Sequence, residues 1–222
     1  MFGRWAGCKP WSGTNRAMTE PSPAGISKRA AQGRATREQL IEVATRLFAE
    51  RGYEDTSIEA VLAAAGVSRG ALYHHFDGKE ELFFAVVESV DTRIMTELVA
   101  ATADAADAFD ALQAAALAWI DLAGDPVIQR IILTDGPSVL GLERWRTMDE
   151  QRSVAAVRAM LQEISGSGSL APELVDSFAH MILGALDEIA MVIARARDQD
   201  AALANGRLAV RELLRRLLKP AG

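Results

Sequence analysis

One short run in this 222-residue chain gathers side chains able to work on a polyanion: Ser68-Arg-Gly-Ala-Leu-Tyr-His-His-Phe76. At helical spacing Val67, Leu72 and Phe76 fall on one side, and Arg69, Gly70, Tyr73 and His74 on the other. A guanidinium, a phenol and an imidazole hydrogen-bond phosphates and base edges, and a glycine among them permits close backbone approach. The competing chemistry is thin. His74, His75 and Asp77 form the only histidine–acid cluster, and adjacent histidines point to different sides of a helix, so they do not share a metal. His180 lies far along the chain, and neither a glycine-rich phosphate loop nor a nucleophile elbow occurs. These residues leave DNA binding and a helical protein-interaction module both open, with an all-α enzyme last. No catalytic residue, metal or cofactor is expected.

The elements that must position this run are helical. Over residues 36–50, Leu40, Ile41, Val43, Ala44, Leu47 and Phe48 follow helical spacing, and Gly52 supplies a stop. Thr56-Ser-Ile-Glu59 reads as a capping box, with Ile58, Val61, Leu62 and Ala65 on one face behind it. Gly66 sits where a left-handed turn residue is wanted, and Ser68 caps a short helix through Phe76. Two short helices joined by Ala65-Gly66-Val67 have the proportions of a helix-turn-helix; an ordinary helical hairpin with a polar surface is the plainer alternative. Asp77-Gly-Lys-Glu80 reads as a second capping box, opening a long helix with Leu82, Phe83, Val86, Val87, Val90, Ile94 and Leu98. No segment alternates as a strand does, so the fold class is all-α.

The run from Arg37 to Leu82 closely resembles the DNA-binding domain of the tetracycline-repressor (TetR) family of transcriptional regulators. The resemblance lies in Thr56-Ser-Ile, Ala64-Ala-Gly-Val-Ser68, Leu72-Tyr-His-His-Phe76 and Lys79-Glu-Glu-Leu82. It implies a helix-turn-helix domain over residues 35–82, then a larger helical ligand-binding and dimerisation domain over residues 83–222. It further implies that Thr56 and Ser57 contact phosphate through hydroxyl and backbone N–H. Ser68, Arg69, Gly70 and Ala71 would open the recognition helix in the major groove, with Tyr73 and His74 reaching phosphates or base edges. Lys79 would meet phosphate as a mobile point charge, whereas His75 packs inward. Lys28, Arg29 and Arg34 would track the minor groove or backbone.

Charge distribution qualifies the net −6, which taken alone argues against a nucleic-acid binder. Residues 1–37 hold seven basic residues and one acidic; residues 38–82 hold four and nine; residues 83–222 hold thirteen and twenty. A basic arm thus precedes acidic sequence, an asymmetry that suits an anionic partner. Residues 1–34 are expected to be a disordered arm, and 1–17 a misassigned start, since Met18-Thr-Glu-Pro-Ser-Pro reads as an ordinary N-terminus. Cys8 is the single cysteine, which excludes a disulfide framework. The most apolar stretch, residues 178–194, is interrupted by Asp187 and Glu188, so a cytoplasmic protein with no membrane partner is expected.

Beyond residue 83 the pattern continues as helices over 109–123, 127–133, 136 to about 164, 172 to about 197 and 201–218, with a flexible loop at Gly166-Ser-Gly-Ser169. Asp125 and Pro126 read as cap and first helical residue. In the last two helices Ala179, Ile182, Leu183, Leu186, Ala190 and Ile193, with Leu203, Leu208, Val210, Leu213, Leu214 and Leu217, form apolar faces suited to a homodimeric four-helix bundle. Phe109, Trp119, Asp121, Trp145, Met148, His180, Met181 and Asp187 are the candidate ligand contacts, joined by Met95 and Asp135. A mostly apolar cavity with sparse polar handles suits a hydrophobic small molecule. Such an effector would release the dimer from a palindromic double-stranded DNA operator by favouring the wrong spacing of its recognition helices. The sequence assigns no role to residues 141–145.

Overall fold

The computed structural model describes residues 23–218, except for the side chains of residues 23–29 and of Asp149. Among the described residues every regular element is a helix. The chain divides into two units, Met1–Ala35 and Thr36–Gly222. In the first unit the described residues are helical, because α1 runs Pro23–Arg51. This corrects the expectation of disorder up to residue 34. A proline can begin a helix, and Lys28, Arg29, Ala30, Ala31 and Gln32 are good helix formers that carry the helix in spite of Gly25 and Gly33. Residues 1–22, including the suggested misassigned start, lie outside the described residues, as do the side chains of Lys28 and Arg29.

In the second unit, α2 (Ile58–Ala65) and α3 (Arg69–Tyr73) form the helix-turn-helix, and α4 (Lys79–Ala101) leads out of it. Leu40, Ala44, Leu47 and Phe48 of α1, Val61 of α2 and Leu72 of α3 close a core with Leu82, Phe83, Val86 and Val87 of α4. That core does not stop at the reading head. Ile128, Ile131, Ile132 and Leu140 from the body belong to it. A second core joins α5 (Ala108–Leu122), α9 (Ala155–Gly166), α10 (Val175–Arg195) and α11 (Gln199–Leu218). Trp119 and Leu133 pack against both.

The stretch between α5 and α9 departs from the expected plain helices. α6 (Pro126–Ile128), capped by Asp125 as expected, widens into a π-helical segment, Gln129–Asp135, before α7 (Gly136–Leu140). Pro137 explains the widening. It has no N–H for the carbonyl four residues back, so the ladder shifts and Gly136 N–H reaches the Ile131 carbonyl instead. Gly141, at φ 77°, then breaks the helix expected from 136 to 164 and starts α8 (Leu142–Asp149) in a new direction. The break folds Trp145 back over Gly136, where a Cβ would meet Trp145 Cζ3 at 2.5 Å and the Ile131 carbonyl at 2.8 Å. A second π-helical segment, Glu150–Val154, joins α8 to α9. Pro172–Leu174 forms one 3₁₀ turn ahead of α10.

By length and composition alone, residues 172–195 make one helix apolar enough to cross a membrane. Its most apolar face, through Ala179, Ile182, Leu186, Ala190 and Ile193, is instead buried against its own chain.

Gly136→Ala should lower stability by about 1–3 kcal/mol, because neither the indole nor the carbonyl can retreat cheaply. Urea unfolding followed by circular dichroism measures this; an unchanged midpoint would mean that Trp145 is free to move.

Candidate DNA interface and effector cavity

The turn between α2 and α3 is made by Gly66 at φ 65°, ψ 28°, which lets Gly66 and Val67 both donate to the Leu62 carbonyl. Ser68 Oγ accepts from Ala71 N at 3.2 Å and starts α3. Leu72 and Phe76 are buried, so Arg69, Gly70 and His74 are exposed and Tyr73 retains 47% of its accessible surface. The face expected from the sequence is thus present on one short helix, with Ala71 half-buried beside it. Gln39 Nε2 donates to the Ala65 carbonyl at 2.8 Å, fixing α2 against α1. The Arg69 guanidinium rests on Glu59 of α2, both side chains being largely exposed. An exposed pair of this kind is weak and easily exchanged for phosphate.

Thr56 is fully buried, its hydroxyl donating to the carbonyls of Gly52 at 2.8 Å and Leu47 at 3.2 Å. The expected phosphate contact through that hydroxyl is therefore corrected: Ser57 is the exposed N-cap, accepting from Ala60 N at 3.1 Å. Lys79 is likewise not a mobile charge. Its Nζ lies 4.1 Å from the Tyr53 ring centroid and donates to the Glu54 carbonyl at 3.2 Å. Burial, then Glu80 and Glu54, raise the Tyr53 pKa, so the ring under Lys79 stays a neutral phenol at neutral pH. Neither expected capping box forms, since Ser57 rather than Thr56 caps α2 and Gly78 precedes α4 without a side-chain cap. His75 is half-buried as expected, and its pKa is lowered by desolvation, His74 and Arg37. Arg34 is exposed on α1.

A contact missed by sequence reasoning links head and body. Asp135, 8% exposed at the end of the π-helical segment, accepts from Tyr53 N at 2.8 Å and from Arg130 Nε at 3.0 Å. Gly52, at φ 85°, leaves room for the Arg130 guanidinium where a Cβ would fall. Tyr53 then packs on Phe48 and Phe83, with centroids at 5.8 and 5.0 Å. Residues 141–145 acquire a role here as well. Arg144 lies 3.6 Å over the Phe84 ring and pairs with Glu81 at 3.1 Å, gripping the first turns of α4.

Beside this junction lies a cavity of about 370 Å³ walled by α4, α5, the π-helical segments and α7 to α10. Of the candidate ligand contacts, Trp119, Trp145, Met148 and Asp187 line it, as does Met95. The other four are corrected. Phe109 is buried away from it, against α11; Asp121 pairs with Arg207 at 3.0 Å; His180 stands 3.8 Å from Glu150; and Met181 is exposed on the outside of α10. Asp135 does not line it either. Asp91, Met160 and Met191 complete the wall and were not anticipated. Asp91 had a readable signal, a charge in the apolar stripe Val87, Met95 and Leu98 of α4. Trp119 Nε1 is buried without a hydrogen-bond partner among the described residues.

The apolar faces expected to pair two subunits are mostly internal. Ala179, Ile182, Leu186, Ala190 and Ile193 are buried in the chain's own core, with Val210 and Leu214. The outer sides of the same helices nonetheless expose Met181 and Val192 on α10 and Leu208 on α11, at 54, 52 and 63%.

Comparison with known proteins agrees with this architecture. Residues 40–86 match the model described as bacterial regulatory proteins, tetR family, and residues 109–217 the tetracyclin repressor-like C-terminal domain. A solved TetR-family transcriptional regulator from Pectobacterium atrosepticum is 34% identical, at a TM-score of 0.72, over 86% of this chain and 98% of that one. One from Streptomyces coelicolor, 20% identical at 0.68 over 83% and 96%, shares the fold. The HTH-type transcriptional repressor AcnR of Corynebacterium glutamicum is 44% identical over 64 residues, 29% of this chain and 34% of that protein. The match thus spans about a third of that curated relative. Two family models in their expected order, and a solved relative matched along nearly its whole length, lead to one conclusion: the chain belongs to the TetR family of DNA-binding transcriptional regulators, which are not enzymes.

Proposed function

We propose that this protein is a cytoplasmic repressor that binds a palindromic operator as a homodimer and is released from it by a hydrophobic small molecule. The exposed face of α3, carrying Arg69, Gly70, Tyr73 and His74 on a helix held from behind by Leu72 and Phe76, is the observation that carries the reading. The repressor role is supported by the name of the relative that matches the same segment. In the proposed division residues 1–34 are a basic arm, 35–82 the reading head and 83–222 the sensor and dimer body. Ser57, Ser68, Ala71 and Lys79 would frame the face, with the backbone N–H of Ser57 toward phosphate, since that of Thr56 donates to the Tyr53 carbonyl. Lys28, Arg29 and Arg34 would follow the adjacent groove.

Dimerisation would use the outer sides of α10 and α11, which expose Met181, Val192 and Leu208. Two heads then meet major grooves about 34–36 Å apart. An effector entering the cavity presses on Ile132, Leu133 and Trp145, which belong to the same short stretch as Asp135 and Arg144. Those two residues hold Tyr53 and the start of α4, so a shift of the wall tilts the head and changes the spacing.

Selection from random duplexes should recover a two-fold symmetric site. Arg69→Ala and Tyr73→Ala should each weaken its binding by about 1–3 kcal/mol with unchanged helicity. Gel shifts with no sequence preference at any salt concentration would refute the reading. Val192→Glu combined with Leu208→Glu should convert dimer to monomer in sedimentation and abolish operator binding; a persistent dimer would place the interface elsewhere. Asp135→Asn weakens a charge-assisted bond worth about 1.5–3 kcal/mol, so the Tyr53 amide should exchange with solvent tenfold faster or more while α5 is unaffected. Unchanged exchange at Tyr53 would remove Asp135 from the coupling path.

A further inference from the structure

We propose that Glu59 is a specificity-determining residue of the reading head: it holds the Arg69 guanidinium ready for a guanine edge and disfavours a phosphate contact by that same guanidinium. The proposal rests on the reading of the α3 face as the part of the head that enters the major groove, and adds what its one formal charge is for.

Between residues 52 and 79 the basic residues are Arg69 and Lys79, against Glu54, Asp55, Glu59 and Asp77. Lys79 is held on the Tyr53 ring and the Glu54 carbonyl, which leaves Arg69 as the charge on the exposed face of α3. Its Nη2 donates to Glu59 Oε1, so the contact runs from the first residue of α3 back to the first turn of α2. Both side chains are largely exposed, and the pair therefore contributes little to folding. A head built only to hold a polyanion would not place a carboxylate on its single exposed cation.

In water this pair exchanges easily, but against DNA the possible exchanges are not equal. A guanidinium that leaves Glu59 for a phosphate strands a carboxylate beside the polyanion, and like charges pressed together at an interface are costly. Ser57 sharpens that cost, because it lies at the N-terminus of α2, two positions before Glu59, where the head is proposed to receive a phosphate. Guanine presents neutral acceptors instead, O6 and N7, in the major groove. Glu59 takes one of the several N–H groups of the guanidinium, so Arg69 can serve a guanine without letting go of the carboxylate. The same contact orders a long flexible side chain before DNA arrives, which lowers the cost of a bidentate bond. Phosphate contacts position a protein and base contacts specify its site. Moving one cation from the first class to the second gives up affinity for any DNA and gains discrimination.

Selection from random duplexes with the full-length protein supplies a preferred duplex, and a scrambled duplex of the same composition supplies the comparison. Glu59→Gln keeps an acceptor of the same length and removes the charge. With folding confirmed by circular dichroism, it should tighten binding to the scrambled duplex more than to the preferred one, lowering the ratio of the two affinities about tenfold. Each head then gains a phosphate contact, so the slope of log affinity against log salt for the scrambled duplex should steepen by about one per head. In an Arg69→Ala background the same substitution should leave the ratio unchanged, since no guanidinium remains to be redirected. An unchanged or higher ratio in the single variant would make Glu59 a general repulsive charge or a partner of the helix dipole, and would overturn the proposal. A fall of the same size in the Arg69→Ala background would overturn it too. Recovery of no preferred duplex by the unsubstituted protein would overturn the operator reading along with the proposal.

Discussion

The Asp135 carboxylate accepts from Tyr53 N and Arg130 Nε, and much of the local geometry exists so that it can. A buried carboxylate is costly unless its lone pairs are filled, so its partners have to arrive together. Gly52 lacks a side chain where the Arg130 guanidinium lies, and the widened turns before Pro137 carry Asp135 to the position from which it reaches Tyr53. Through this contact Tyr53, in the α1–α2 connection, is referenced to the body as well as to Phe48 of α1 and Phe83 of α4. In the proposed coupling of cavity to head, a polar contact suits a switch better than more apolar packing would. Its strength depends steeply on distance and angle, so a small displacement of the wall changes it.

The whole-chain charge of −6 is poor guidance to partners, because its parts serve different ends. The face of α3 carries one formal positive charge, Arg69, and even that rests on Glu59. In the proposed dimer, two heads presented together would therefore matter more than the charge of either, and non-specific attraction would be weak.

The reading head was largely legible in the residues. Apolar spacing from Leu40 to Leu98, the Gly66 turn and the Ser68 cap are local signals, and local signals survive when a segment is read in isolation. The errors there were of one residue or one partner. Thr56 and Ser57 are equivalent caps on paper, and only the packing of Thr56 under Leu47 and Gly52 separates them. Lys79 looks like a free charge until Tyr53 is placed beneath it. The body was legible as helices but not as surfaces. Ala179, Ile182 and Ile193 form an apolar stripe whether they face their own core or another subunit, because periodicity shows that a face is buried and not what buries it.

By itself, then, the sequence determined an all-α chain, a helix-turn-helix with its outward chemistry on Arg69, Gly70, Tyr73 and His74, and a helical body behind it. Periodicity, caps and glycine turns are short-range physics, written within a few residues of where they act. Only the tertiary structure decided that Asp135 meets Tyr53 across 82 positions, and that Gly141 turns Trp145 onto Gly136. It alone gathered Asp91, Trp119, Trp145 and Asp187 around one cavity while leaving Phe109, Asp121, His180 and Met181 outside. Those outcomes depend on which faces meet once the helices pack, and packing is settled by the whole set of side chains at once.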